Sequence, residues 1–151
     1  MSLSTARVSG PFAREEVVAY LDEAIIPLRL ACIAPSGWPL VVSLWFIRRA
    51  DELICATQRS SSLVRALEHD QRCAFEIAGE KPPYRGVRGR AQVTIEPDEG
   101  LAALAELLTR YVGGTDGAFA QRLLGRTTPE VVLRVDPVEV SSWDYARRMS
   151  L

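Results

Sequence analysis

The stretch that decides the fold is residues 38–67, WPLVVSLWFIRRADELICATQRSSSLVRAL. Its first part, residues 40–47, is almost wholly apolar, with Ser43 as the polar exception. A short polar segment at residues 48–51 follows, and residues 52–57 form a second, mostly apolar run. Apolar runs of this length, joined by a short polar link, predict two neighbouring antiparallel strands.

The chain changes character after the second of these strands. Residues 58–62 are polar and include three consecutive serines, and residues 63–67 carry the apolar face of a predicted short helix. Serine hydroxyls and free backbone amides at a helix start favour a phosphate, and Arg59 or Arg65 could add positive charge. A serine N-cap beside a solvated loop explains the same residues without any ligand.

Further strands and helices are predicted along the rest of the chain. Strand patterns occur at residues 28–34, 73–78, 85–96 and 130–135. The clearest alternation, within 85–96, places on one face Val87, Gly89, Ala91, Val93 and Ile95. Helices are predicted at residues 12–24, 98–112 and 118–124. Six strands with mainly hairpin-like connections predict a mainly β, antiparallel barrel that is closed or nearly closed, with helices at its periphery.

The length of the chain and its segments predict one domain. Its 151 residues fit the usual size of about 100–200 residues per domain. We expect the whole of 1–151 to form it, in four parts: an N-terminal helical lid at 1–26, the main barrel strands at 27–97, a helical insertion at 98–126, and the last strand and C-terminal tail at 129–145.

Composition and charge narrow the function. The chain has 18 basic and 19 acidic residues, a net charge of -1, and so lacks the positive excess of a nucleic-acid-binding protein. No secretory signal is recognisable at its start, and no run approaches the about 18 apolar residues of a membrane span. We therefore expect a cytoplasmic protein without nucleic-acid or membrane partners.

The residues that usually carry acid–base, thiol or metal chemistry are sparse. The three cysteines lie in separate apolar runs without metal-ligand spacing, which predicts buried free thiols and no metal site. His69, the single histidine, falls on the predicted solvent side of the short helix. Paired carboxylates occur only at helix starts and turns, where they complement the helix dipole. We therefore assign no catalytic residue and expect no self-contained hydrolytic chemistry.

Several segments together resemble the pyridoxamine-5'-phosphate-oxidase-like, FMN-binding split-barrel family. The similarity runs from Leu28 to Tyr145 and rests on the order of the segments rather than on any single motif. The similar segments are residues 30–34 with the Pro35-Ser36-Gly37 turn, 39–46, 53–57, 82–91 and 143–145. The resemblance implies a six-stranded antiparallel split β-barrel and a homodimer that holds a flavin, or a deazaflavin, between two barrels.

The resemblance also implies positions for the cofactor. Backbone groups of Val42, Ser43 and Leu44 would line the edge of the ring. Thr57 and Gln58 would lie between the ring and the ribityl-phosphate chain, and Ser61, Ser62 and Leu63 would lie at the phosphate. Arg88, and Trp143 from a partner chain, would close the site. This chain departs from the family at Leu63, where a basic residue is common; Arg59 and Arg65 are candidates to replace its charge.

Three functions follow as hypotheses. The first is an FMN-dependent oxidoreductase acting on a small substrate, with the chemistry supplied by the flavin. The second is a reductase that uses the deazaflavin coenzyme F-420 on the same fold. The third is a non-catalytic module that binds a flavin or haem, for which His69 would be the axial ligand. A homodimer also explains why residues 40–47 are apolar on both faces, although the N-terminal helix could cover them instead.

Overall fold

The computed structural model describes residues 2–150 as one mainly antiparallel sheet with four helices against it. The strands are β1 (Arg7–Ser9), β2 (Leu28–Ile33), β3 (Pro39–Leu44), β4 (Ile47–Arg49), β5 (Glu52–Gln58), β6 (Arg72–Ala78), β7 (Arg85–Glu96) and β8 (Glu130–Asp144). The helices are α1 (Arg14–Glu23), α2 (Ser62–His69), α3 (Gly100–Val112) and α4 (Ala118–Leu124). The protein is thus mainly β, as predicted.

The sheet is open rather than closed. Its strands are hydrogen-bonded in the order β3-β2-β6-β7-β8-β5-β4, and β1 adds to β8 in parallel. The structure therefore corrects the closed six-stranded form of the prediction in both strand number and closure, because eight strands form a path with two free ends. Those ends, β3 and β4, are consecutive in the chain.

The predicted strand at residues 40–47 is divided in two. β3 ends at Leu44 and β4 begins at Ile47, because Phe46 turns its side chain into the core and is fully buried. The hydroxyl of Tyr111 on α3 stabilises this break: it accepts from the Phe46 amide at 3.2 Å and donates to the Ile26 carbonyl at 2.9 Å. Apolar character alone could not locate the break, since a turned-in phenylalanine and a strand residue look alike in sequence.

The last strand is much longer than predicted. The predicted strand covers residues 130–135 and ends before Pro137. β8 instead continues to Asp144, and its register with β7 shifts by one residue where Pro137 pairs with Ala91 and Glu139 pairs with Arg90. The residue without a partner in this β-bulge is Val138, directly after the proline, and bulges are among the few places where a sheet accepts proline.

The helices lie close to their predicted positions. α4 has the predicted bounds, whereas α1 and α3 begin two residues later than expected. At the start of α1 the Glu16 carboxylate accepts from the Ala13 amide at 2.7 Å. α3 packs against β5 and β8, at the end of the sheet that β3 and β4 leave open.

The interior of the sheet is apolar and holds all three cysteines. Cys32, Cys55 and Cys73 are buried free thiols, as predicted, and burial raises the pKa of the Cys73 thiol to about 12. The predicted alternation in β7 is confirmed, with Val87, Ala91 and Val93 buried. Among the described helices, none has the length and apolar character needed to cross a membrane.

Candidate functional site

A cavity opens where the two free ends of the sheet face each other. β4 pairs with β5 only as far as Ile54, so in the described structure the later residues of β5 are hydrogen-bonded on the β8 side alone. The end of β3 faces this stretch without a ladder between them. The cavity between them, which we call the gap cavity, has a volume of about 380 Å³.

The two walls of the gap cavity differ in chemistry. The strand wall presents Ser43, Leu44, Ala56, Thr57, Gln58 and Ser61. The opposite wall comes from the helices and the residue after β3: Trp45, Leu104, Leu107, Phe119 and Leu123. The Trp45 ring stacks on Tyr111 at 5.1 Å between centroids and meets Phe119 edge-on at 6.4 Å. A planar ligand would thus lie between polar strand ends and an apolar, aromatic surface.

Five of the eleven residues predicted from the sequence line the gap cavity. They are Ser43, Leu44, Thr57, Gln58 and Ser61. Val42, although next to Ser43, points to the other face of β3 and packs against the core. Small-molecule sites have volumes of about 300–1,000 Å³, so the cavity is large enough for one drug-sized ligand.

The residues predicted to lie at the phosphate do not form a phosphate site in the gap cavity. Ser61 is the N-cap of α2, and its hydroxyl accepts from the Val64 amide at 3.2 Å. Leu63 is buried in the core, and Arg59 forms an ion pair with Glu68 at 2.7 Å. Ser62 and Arg65 are exposed on α2 and lie outside the cavity lining. Neither Arg59 nor Arg65 therefore supplies, within the gap cavity, the positive charge that is missing at position 63.

Arg88 lies elsewhere in the protomer. It projects from the outer face of β7, with its guanidinium 5.4 Å from the centroid of the Trp143 ring. It borders a groove of about 790 Å³ that runs over this face, which we call the outer groove. The floor of the groove includes Ala31, Val41 and Ala74. Within one protomer, Arg88 does not meet the predicted ring-binding residues.

His69 is also outside the gap cavity. It lines a separate shallow cavity with Gln71 and Thr94, at the end of α2. A haem ligated by His69 would therefore occupy a different place from the predicted flavin site.

Two charged residues of the gap cavity were not predicted. Glu130, the first residue of β8, pairs with Gln58 of β5, and its side chain is only 4% exposed. Its carboxylate lies 3.7 Å from the guanidinium of Arg126. Burial raises the pKa of Glu130, and the positive charge of Arg126 opposes that rise.

The sequence held only a weak signal for these residues. Arg126 and Glu130 are four apart, and Glu130 directly precedes the apolar run 131–133. Their place in the site depends on the pairing of β8 with β5, which joins segments more than seventy residues apart in the chain. The helix wall was likewise missed, because the amphipathic faces of α3 and α4 do not reveal which strands they cover.

Substitution of Tyr111 tests whether its hydroxyl stabilises the break between β3 and β4. We expect Tyr111→Phe to lower the free energy of unfolding by about 1–2 kcal/mol, because the partly buried Phe46 amide and Ile26 carbonyl lose a shared partner. Equilibrium unfolding in urea measures the change. Tyr84→Phe, at an exposed tyrosine, is the control and should shift stability by less than about 0.5 kcal/mol. Equal effects of the two substitutions would contradict this role of Tyr111.

Several solved structures share the fold of this chain over most of its length. The chain superimposes on a conserved hypothetical protein, Rv2991, from Mycobacterium tuberculosis with a TM-score of 0.75 at 22% identity, covering 93% of this chain and 89% of that one. An F420 reductase gives a TM-score of 0.64 at 25% identity, with 80% and 93% covered.

Two further similar structures carry different names. A putative pyridoxamine 5'-phosphate oxidase from Listeria innocua gives a TM-score of 0.64 at 12% identity, with coverage of 85% and 95%. HutZ, a haem storage protein from Vibrio cholerae, gives 0.62 at 17% identity, with coverage of 82% and 88%. No protein-family model and no curated protein sequence matches the chain. The chain thus has the fold of the pyridoxamine-phosphate-oxidase-like split barrels, and the comparisons establish that fold and no particular substrate.

Proposed function

We propose that the protein is a flavin-dependent oxidoreductase that binds FMN in the gap cavity and acts on a small substrate. The observation that carries the proposal is the meeting of Ser43, Leu44, Thr57, Gln58 and Ser61 around one cavity opposite an aromatic wall. The resemblance to the split-barrel family assigns the same five residues to the cofactor. They belong to two segments, the end of β3 and the stretch from the end of β5 to the start of α2, and the meeting of these two segments is set by the fold.

The residues present fit such a cofactor. The strand ends at the gap offer backbone and hydroxyl groups to the polar edge of a flavin ring, and Trp45 and Phe119 offer apolar surface to its face. A bound flavin would supply hydride or electron transfer, whereas the chain positions the ring and keeps water from it. Chemistry supplied by the flavin agrees with a chain in which we assign no catalytic residue.

A deazaflavin-dependent reductase is the second candidate. The observation that favours it is the 25% identity to an F420 reductase over 80% of this chain. Both candidates use the same cavity and differ in the ring that occupies it. A non-catalytic haem module, for which HutZ is the precedent, fits less well because the single histidine lies outside the gap cavity.

Titration of the purified protein with each cofactor tests the proposal. We expect FMN, or the deazaflavin, to bind with one molecule per chain, and its fluorescence to change on transfer to the aromatic surface. A bound cofactor that is then reduced by a nicotinamide donor and reoxidised by a small acceptor would support an oxidoreductase. Binding without reduction by any donor would favour the non-catalytic alternative. Failure of both cofactors to bind at concentrations up to about 1 mM, the weakest affinity of functional interest, would exclude the proposal.

We further propose that two copies of the chain pack through the outer face of the sheet. Val41 is 65% exposed and Trp38 75% exposed, although both are large apolar residues of the β2–β3 hairpin. Charges of both signs surround the apolar floor of the outer groove: Arg7, Arg29, Glu76, Arg88, Arg90 and Glu139. A twofold interface is self-complementary, so a patch that carries both signs can pair with its own copy.

Substitution of Val41 tests this interface. We expect the wild-type protein to be a dimer at micromolar concentration and Val41→Arg to be a monomer, because the new positive charge would be buried in a groove that already holds four arginines and only two glutamates. Analytical ultracentrifugation measures the masses. Leu101→Arg, at an exposed leucine on α3, is the control and should leave the dimer intact. A monomeric wild-type protein would contradict the proposed interface.

A further inference from the structure

No arginine or lysine of residues 59–65 lines the gap cavity, so this segment offers no positive charge to a phosphate there. Leu63 takes the position where the resemblance implies a basic residue, and it is only 2% exposed within the core. The guanidinium of Arg59 is held by Glu68, and Arg65 lies outside the cavity lining. If the cavity holds a phosphorylated flavin, the compensating charge has to come from another part of the chain.

Arg126 is the arginine that lines the gap cavity. It follows Gly125, the residue that ends α4, and its backbone amide donates to the Leu123 carbonyl at 3.4 Å. Its side chain borders the same cavity as Gln58 and Ser61, the residues nearest the predicted phosphate position. The side chain is 44% exposed, so its guanidinium is accessible to an anion entering from solvent.

Glu130 accounts for the position of this guanidinium. Its carboxylate is almost fully buried in the cavity wall and attracts Arg126 across 3.7 Å, which is longer than a hydrogen bond. The pair is therefore a loose ion pair rather than a tight bidentate contact. Arg126 keeps donors for a second anion, and Glu130 both holds it at the cavity and repels a phosphate placed beside it.

We propose that Arg126 binds the phosphate of the cofactor in place of the basic residue missing at position 63, and that Glu130 limits the strength of that binding. This inference rests on the proposed function, since it assigns one group of the same ligand. The positive charge that binds the phosphate then comes from Arg126, directly after α4, rather than from the start of α2. The α3–α4 segment then supplies both the aromatic wall for the ring and the charge for the phosphate.

The test compares FMN with riboflavin, which carries the same ring without the phosphate. We expect Arg126→Ala to weaken FMN binding about 10- to 100-fold, the range for a lost hydrogen bond to a charged group, and to leave riboflavin binding unchanged. Arg126→Lys should restore part of the difference. Glu130→Gln should tighten FMN binding several-fold, again without effect on riboflavin, because it removes the negative charge from beside the phosphate and keeps an amide oxygen that can still accept from Arg126. Fluorescence titration gives all the dissociation constants.

A matched control and the contrary outcomes separate this inference from the proposed function. Arg72→Ala removes another ion-paired arginine, bound to Asp70 and outside the cavity lining, and should leave both affinities unchanged. Equal loss of FMN and riboflavin in Arg126→Ala, or an FMN-specific loss in Arg59→Ala or Arg65→Ala instead, would overturn the role of Arg126. A wild-type protein that binds neither ligand would overturn the proposed function itself. If the protein prefers the deazaflavin, the same comparison applies between the phosphorylated deazaflavin and its phosphate-free core.

Discussion

Gly100→Ala should lower the melting temperature by about 6–12 °C, corresponding to roughly 3 kcal/mol for a domain of this size. Gly100 is the first residue of α3 and is buried against β8. A Cβ atom there would lie well within 3.0 Å of the Glu130 carbonyl, a separation that real Cβ atoms do not adopt. The obstacle is strand backbone, so it cannot move aside as a flexible side chain would. The start of α3 and the start of β8 would have to separate.

The control for this substitution is Gly79→Ala. A Cβ atom at Gly79 would meet nothing within 4 Å, and Gly79 has no positive φ. We expect its melting temperature to stay within about 2 °C of wild type, since surface substitutions usually change stability by less than 0.5 kcal/mol. Differential scanning calorimetry of the three proteins measures the shifts. A Gly100→Ala variant as stable as Gly79→Ala would mean that α3 is not packed on β8 as described.

Gln58→Trp should abolish most of the cofactor binding while leaving the fold intact. Gln58 lines the gap cavity and lies directly opposite Glu130 in the β5–β8 ladder. Residues opposite each other in antiparallel strands share one face of the sheet, and the Glu130 side chain also lines the cavity. An indole at this position would occupy space that a flavin needs. We expect the dissociation constant for FMN to rise at least about tenfold, a cost of about 1.4 kcal/mol or more. Fluorescence titration measures the affinity, and circular dichroism verifies the fold.

Gln92→Trp provides the matched comparison. Gln92 is an exposed glutamine on β7, outside the lining of the gap cavity, so the same change of side chain is made at a similar strand position. FMN binding should be unaffected. If Gln92→Trp weakened FMN as strongly as Gln58→Trp did, or if Gln58→Trp bound FMN normally, the ring would not occupy the gap cavity.

The sequence predicted the local elements well where one physical pattern dominated. Alternation in residues 85–96 identified β7, and the serines before residue 63 identified the start of α2. The predicted bounds of α4, residues 118–124, are those of the structure. In each case the deciding interactions lie within a few residues along the chain, so the pattern is visible without the fold.

Features set by distant contacts could not be predicted in this way. The break at Phe46 depends on a tyrosine in α3, and the extension of β8 past Pro137 depends on a bulge against β7. The role of Glu130 depends on its pairing with Gln58. The open gap itself is such a feature: a closed barrel and an open sheet can share the same strand pattern, and only the strand order distinguishes them.

The central claim is that the gap between β3 and β5 is the flavin site. A crystal structure of the protein grown with FMN tests it most directly, because the gap cavity and the outer groove lie at different places on the sheet. We predict that the ring lies against the strand ends at Ser43 and Thr57 and that the phosphate lies beside Arg126. A flavin bound in the outer groove beside Arg88, or a gap cavity still empty at saturating FMN, would contradict the account.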